Sequence, residues 1–95
     1  MSNVIDAAVT ALAAKLSAGF DGVAKFVIID EGAVMVDGAG VRAGDEAADV
    51  TMTASSEVFQ AILAGEINPT TAFMQGKLAI DGSMSMAMQL GAALA

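Results

Sequence analysis

The sequence predicts a single α+β domain in which helices cover one face of a twisted, mostly antiparallel sheet. Three observations lead there. An Ala-rich opening stretch carries apolar residues at helical spacing. A central region consists of short alternating apolar runs separated by Gly-containing turns. After the only proline, a nearly uncharged segment reads as a short helix, a strand and a Met-rich closing helix. At 95 residues the chain makes one domain, spanning residues 1–95, with a modest core.

Residues 4–17 place Ile5, Val9, Leu12 and Leu16 on one helical stripe. Ser2 or Asn3 can cap the start, Asp6 complements the positive helix end, and Gly19 is a stop signal. Residues 22–30 alternate as a strand, with a turn at Asp21-Gly22. Both of its faces are apolar enough to be covered. Glu31-Gly32 is a two-residue hairpin signal, residues 33–36 the return strand, and Asp37-Gly38-Ala39-Gly40 the next turn. A short strand at 41–43 and an acidic loop at 44–47 precede the cleanest alternation, residues 49–54, with Val50, Met52 and Ala54 on one face.

Ser55 then caps a helix with Glu57 in its first turn, an apolar stripe of Phe59, Ile62 and Leu63, and an end at Gly65. Asn68-Pro69 starts another helix, with proline where its missing N–H has no partner to lose. Ala72 and Phe73 are expected to be buried and Gly76 to terminate it. Residues 77–81 form the last strand, with Leu78 and Ile80 inward. Ser83 caps the closing helix, where Met84 and Met88 share one face and Met86, Leu90 and Leu94 another. A helix apolar on two faces is expected to be buried on both.

Composition excludes several function classes. Eleven acids against Lys15, Lys25, Arg42 and Lys77 give a net charge of −7. A nucleic-acid footprint and electrostatic docking on anionic lipid both need the opposite sign, so at most transient membrane contact is expected. There is no Cys, His, Trp or Tyr. Thiol chemistry, imidazole bases and the usual transition-metal ligands are therefore missing, and neither cofactor nor metal is expected. The aspartates before Gly22, Gly38 and Gly82 read as turn formers rather than an acid–base pair. Ser55-Ser56 has no base to activate it. Glu31, Asp45, Glu46 and Asp49 form an acidic patch without calcium-loop spacing, and adventitious cation binding is the most it suggests. Gly38-Ala39-Gly40 lacks the lysine and helix of a phosphate loop. With no targeting segment and no run of 18 apolar residues, the expected location is the cytoplasm.

Apolar residues make up 56% of the chain, more than a compact core of this size needs. The surplus suits a cavity or an interface. Five of the seven methionines, Met52, Met74, Met84, Met86 and Met88, lie in the second half. A Met stripe commonly fills a core, but flexible thioethers also suit a cavity that accepts variable apolar shapes. Burying a lipid chain yields about 0.8 kcal/mol per methylene, so a dozen yield on the order of 10 kcal/mol before ordering costs. Gln75 is the nearest uncharged polar side chain to orient a headgroup, and it suits a helix C-terminal hydrogen bond equally well.

The ordered series Asp49-Val-Thr-Met-Thr, Ser55, Phe59, Gly65, Asn68-Pro69, Ala72-Phe73, Gln75-Gly76-Lys77-Leu78, Ile80, Gly82, Met84 and Ala87-Met88 resembles the sterol carrier protein 2 family, the sterol-binding domain. The match is dense over residues 48–90 and weaker upstream. The resemblance implies a five-stranded, mainly antiparallel twisted sheet covered by helices around an apolar tunnel. It also implies non-enzymatic binding and transfer or presentation of a fatty acid, acyl-CoA, phospholipid or sterol. The C-terminal helix, here residues 83–94, would close the tunnel. The short chain and the missing peroxisomal C-terminal address are those of a stand-alone prokaryotic member, for which a fatty acyl ligand fits better than a sterol.

The side chains expected to meet lipid are Phe26, Ile28, Met52, Phe59, Ile62, Phe73, Met74, Gln75, Leu78, Ile80, Met84 and Met88. The partner is then a hydrophobic small molecule, with a lipid-using enzyme as a further one. The competing reading is a structural or interaction module whose Met-rich C-terminal face is a dimer or partner interface. The residues alone leave the oligomeric state open.

Overall fold

The computed structural model describes residues 3–16 and 22–94; the expected cap at Ser2, the stop at Gly19 and the turn residue Asp21 lie outside the described residues. Among the described residues nine elements succeed one another: α1 (Asn3–Lys15), β1 (Ala24–Ile28), β2 (Gly32–Asp37), β3 (Gly40–Ala43), β4 (Val50–Ala54), α2 (Ser56–Leu63), α3 (Pro69–Met74), β5 (Leu78–Gly82) and α4 (Met84–Leu94). The strands form one sheet in the order β3-β2-β1-β4-β5. Three of its pairings are antiparallel and the β1–β4 pairing is parallel. The fold is α+β, as the sequence predicts, but the sheet is mixed. A parallel neighbour needs a long crossover. Here the β2–β3 hairpin and the loop after it supply one. Backbone bonds from Asp49 N–H to the Val23 carbonyl (2.9 Å) and from Ile29 N–H to the Ala54 carbonyl (3.0 Å) pin the two ends of the parallel pair.

Strand alternation decides which side chains reach the core. Ala24, Phe26 and Ile28 of β1 stand beside Val50, Met52 and Ala54 of β4, and all six are buried. Val34 and Val36 extend this face on one side and Leu78 on the other, where Ile80 is half-buried. The helices lie on this face. The Phe59 ring of α2 sits 5.6 Å from that of Phe26, tilted by 59°, a favourable aromatic geometry. From α1, Ile5, Ala8, Leu12 and the following Leu16 are buried, while Val9 is only half-buried.

The opposite face of the sheet is not covered by helices. Lys25 and Val27 of β1 are half-buried there, short of the coverage expected for that strand. Met35 is nonetheless buried on that face, because the loop at 44–49 folds over it. Glu46 N–H approaches the Met35 Sδ at 3.5 Å. Ion pairs hold the loop: Lys25 to Asp45 at 2.9 Å, and Arg42 to both Asp37 (2.8 Å) and Glu46 (3.3 Å).

The turns match the sequence signals with one change. Asp37 and Gly40 face each other across a two-residue turn, and Asp37 accepts the Ala39 N–H. The β1–β2 hairpin is wider than two residues. Ile28 pairs with Gly32, leaving Ile29, Asp30 and Glu31 in the loop, with Asp30 at φ 67°. Aspartate tolerates this left-handed backbone better than most residues, which lets the turn widen by one position.

The expected caps of α2, α3 and α4 all form. The Ser55 hydroxyl accepts from Val58 N–H, the Asn68 side chain from Thr70 N–H, and the Ser83 hydroxyl from Met86 N–H. Helices α2 and α3 end alike. Gly65 N–H returns to the Ile62 carbonyl and Glu66 N–H to that of Ala61. Gly76 and Lys77 do the same to Phe73 and Ala72. This pair of bonds satisfies carbonyls that a helix end leaves open.

Gly82 marks the tightest approach in the sheet. It has φ 101°, and a Cβ there would strike the Asp49 carbonyl oxygen and lie 3.1 Å from Val50 Cα. Gly82→Ala is expected to destabilise the domain by about 2–4 kcal/mol, since left-handed strain and a backbone clash add. Denaturant titration measures this. A loss below about 0.5 kcal/mol would show that β5 can shift away from β4 at no cost.

The Asp37 carboxyl is held below its ordinary value by the Arg42 guanidinium bond and then by the Ala39 N–H. A carboxyl whose folded pKa is depressed contributes stability that is complete above its unfolded value, 3.8, and lost as pH falls through the folded value. Asp37→Asn is therefore expected to lower stability near neutral pH and to flatten the acid limb below about pH 4. Thermal melts across that range check it.

Candidate functional site

A groove of about 230 Å³ opens between α3 and α4 over the β4–β5 edge of the sheet. Its floor is Met52 and Ile80. One wall is Pro69, Thr70, Phe73 and Met74 from α3, and the other is Met84, Ala87, Met88 and Gly91 from α4. The walls are built from residues four apart: 69 with 73, 70 with 74, 84 with 88, and 87 with 91. Such pairs lie one turn above each other on a helix face, so each helix presents a two-column apolar strip.

Local sequence explains why the helices leave a gap. Asn68 and Pro69 start α3 at a defined point, and Pro69 is buried at its base. Opposite it, α4 offers only Ala87 and Gly91. A Cβ built on Gly91 would lie 3.8 Å from the Pro69 Cβ, so the helices meet there with almost no side chain between them. Farther along α3 and α4, the larger Phe73, Met74, Met84 and Met88 stand apart and line an open slot.

The groove is almost entirely apolar. Thr70 is the sole polar side chain among its ten lining residues, and none is charged. Beneath it lies a second, much smaller void of about 10 Å³, lined by Phe26, Met52, Phe59, Ile62, Pro69, Leu78 and Leu94. Met52 and Pro69 line both spaces and form the partition between them.

The twelve residues singled out from the sequence fall into three places. Phe73, Met74, Ile80, Met84 and Met88 line the groove, and Met52 lines both groove and void. Phe26, Phe59, Ile62 and Leu78 line the void as buried core residues, and Ile28 is core without lining either space. Gln75 is exposed at the C-cap of α3 and outside the groove.

Burial departs from expectation on both helices. Phe73 is 38% exposed rather than buried. In α4, Ala87, Leu90 and Leu94 are buried, whereas Met84 is 46% and Met88 72% exposed. The helix is buried along one stripe and open along the other, because α3 stands too far away to cover the second. Sequence reasoning missed Pro69, Thr70, Ala87 and Gly91. Each lies one turn from a residue it did single out, and that spacing was the available signal.

The acidic patch is engaged in structural bonds. Asp45 pairs with Lys25, Glu46 with Arg42, and Asp49 accepts the Val23 N–H at 3.1 Å. Among the described residues no group of three or more Asp or Glu could hold a metal ion, and no helix is long and apolar enough to cross a membrane. No charged or polar side chain among them is buried.

Comparison with known proteins gives the family and the fold. The profile of the SCP-2 sterol transfer family matches residues 4–95. The chain belongs to that family. Sterol carrier protein 2 of Gallus gallus is 50% identical over 46 residues, which make up 48% of this chain and 8% of that protein. Peroxisomal multifunctional enzyme A of Dictyostelium discoideum is 46% identical over 52 residues, 55% of this chain and 12% of that protein. The SCP-2 domain thus matches only about a tenth of the length of these curated relatives. The solution structure of sterol carrier protein 2 from Aedes aegypti, solved in complex with the C16 fatty acid palmitate, superposes with a TM-score of 0.80. It covers 100% of this chain and 97% of that one at 23% identity, which establishes the common fold.

Wall and core residues should separate in stability. Phe59→Ala is expected to cost about 3–5 kcal/mol, as for a buried aromatic, and Phe73→Ala no more than about 1.5 kcal/mol. Equal losses in denaturant titration would make Phe73 a core residue and remove it from the groove wall.

Proposed function

We propose that this SCP-2 domain binds a single-chain lipid, without catalysing a reaction, in the groove between α3 and α4, and transfers or presents it. In this reading α4 is the movable wall that closes over the ligand. The observation that carries the proposal is the groove itself: ten lining residues, one hydroxyl and no charge. Thioethers and an aromatic ring supply dry contact to methylenes, and Thr70, rather than Gln75, is placed to meet a polar headgroup. Family membership and the palmitate complex of the Aedes aegypti protein support the same ligand class.

The groove is smaller than the 300–1,000 Å³ or so usual for ligand pockets, so it takes only part of a long chain in this conformation. The void beneath it offers the rest. An unbranched Met52 side chain can turn aside at small cost, which would join the two spaces into a tunnel running toward Phe26 and Phe59. Each methylene so buried yields about 0.8 kcal/mol.

Gly91→Leu is the direct test. It puts bulk into the groove from the α4 side at a point where a Cβ already reaches Pro69, so its melting temperature is read beside uptake, and Gly91→Ala, whose Cβ makes only ordinary contact, is the control for the fold. Uptake of a fluorescent fatty acid by delipidated protein should be saturable for the parent and for Gly91→Ala, and lost in Gly91→Leu. Undiminished uptake by Gly91→Leu would place the ligand elsewhere, and no uptake by the parent would sink the lipid reading.

The exposed Phe73, Met74, Met84 and Met88 also support the second reading, in which this apolar face meets another copy or a partner. Self-association in light scattering that Gly91→Leu leaves intact, with no lipid uptake, would favour it. A lipid-using enzyme as acceptor fits the occurrence of the matched stretch within a multifunctional enzyme.

A further inference from the structure

We propose that Met74, Met84 and Met88 form a methionine-oxidation site, and that their conversion to sulfoxides by a hydroperoxide ends apolar ligand binding in the groove. The inference rests on the lipid reading above for its consequence, but its chemistry stands on exposure. Met74 is 79% exposed, Met88 72% and Met84 46%. All three line the groove, with Met74 on one wall and Met84 and Met88 on the other. Two other methionines are shielded: Met52 in the core and Met35 under the 44–49 loop, at 2% and 0% exposure. There is no cysteine to intercept the oxidant first. Met86 is half-buried against the core and does not line the groove, so the most exposed sulfur of the described residues is the trio around the groove that the proposed ligand enters.

The step is a two-electron oxygen transfer. The thioether sulfur attacks the distal oxygen of the hydroperoxide, the O–O bond breaks, and the proton moves to the departing oxygen. Sulfoxide and an alcohol result, or water when hydrogen peroxide is the oxidant. A sulfoxide is a strong hydrogen-bond acceptor. On a solvated wall it is satisfied by water, so the fold tolerates it. Under an acyl chain it loses that water, and Thr70 is the only side-chain donor lining the groove. The modification therefore opposes binding more than folding, and it is reversible by methionine sulfoxide reductases.

The experiment treats the full chain with hydrogen peroxide and tracks three readouts: peptide mass mapping, thermal stability and fluorescent fatty-acid uptake. Met74 and Met88 are expected to gain oxygen first and Met84 next, all before Met35 and Met52. Uptake is expected to weaken roughly tenfold per sulfoxide left without a partner, with little change in melting temperature at that stage. A triple variant, Met74→Leu, Met84→Leu and Met88→Leu, has no rim thioether to oxidise, so whatever its starting affinity, peroxide should not change it, and the comparison is made within each protein before and after treatment. Three results overturn the proposal: oxidation of Met35 or Met52 ahead of the rim, full rim oxidation with unchanged uptake, or equal peroxide sensitivity in the triple variant. Absence of uptake by untreated protein overturns the lipid reading and the binding consequence with it, while the order of oxidation is read independently.

Discussion

Residues 24–28 and 50–54 are separated by a hairpin and an acidic loop, yet they pair in parallel and in register, and the other layers depend on that pairing. It sets Phe26 beside Met52 and Ile28 beside Ala54, making the apolar strip onto which the helices settle. It also fixes the direction of the later elements. Strand β5 joins β4 antiparallel, which a tight turn would suffice to connect. The chain instead inserts α2 and α3 between the two strands and lays them on the core face. The groove exists because α3 is part of this connection while α4 comes after β5, so the two arrive over the same sheet edge from different ends.

The energetics divide accordingly. Stability resides in the strip and its cover: Phe26 against Phe59, Leu12 and Leu16, and the Ala87-Leu90-Leu94 stripe. The proposed function falls on the surface that this core leaves uncovered. Of the groove wall, Met74 and Met88 stay largely in water and add little to folding, whereas Phe73 and Met84 are more than half covered. In the proposed reading, the exposed part of this wall exchanges water for an acyl chain. The ion pairs around Arg42 and Lys25 sit on the far face of the sheet and tie down the 44–49 loop, away from the groove.

Local signals are legible in the sequence because local chemistry settles them. Ser55, Asn68 and Ser83 sit before apolar runs, and a short polar side chain there has an open N–H to accept from. The Asn68-Pro69 pair leaves little choice of helix start. Signals that depend on a distant partner were read less well. The parallel strand pair has no mark in either strand, because an alternating run is equally compatible with both directions. Gln75 was attractive as an uncharged polar residue near the groove, but the helix ends there and the position faces solvent. Thr70 carries no signal of its own, because a threonine in a first turn is ordinary helix surface.

The amino-acid sequence alone settled the order of the elements, the caps of α2, α3 and α4, the β2–β3 turn, the surplus of apolar residues, the absence of imidazole and thiol chemistry, and the resemblance to the sterol carrier proteins. All of these come from residue identity and spacing within a few positions. Tertiary structure alone decided which apolar face of α4 became core and which became groove. Periodicity counts two apolar faces without ranking them. The ranking came from the close approach of α4 at Gly91 to Pro69 of α3 at one end of the groove, while Met84 and Met88 are left uncovered at the other.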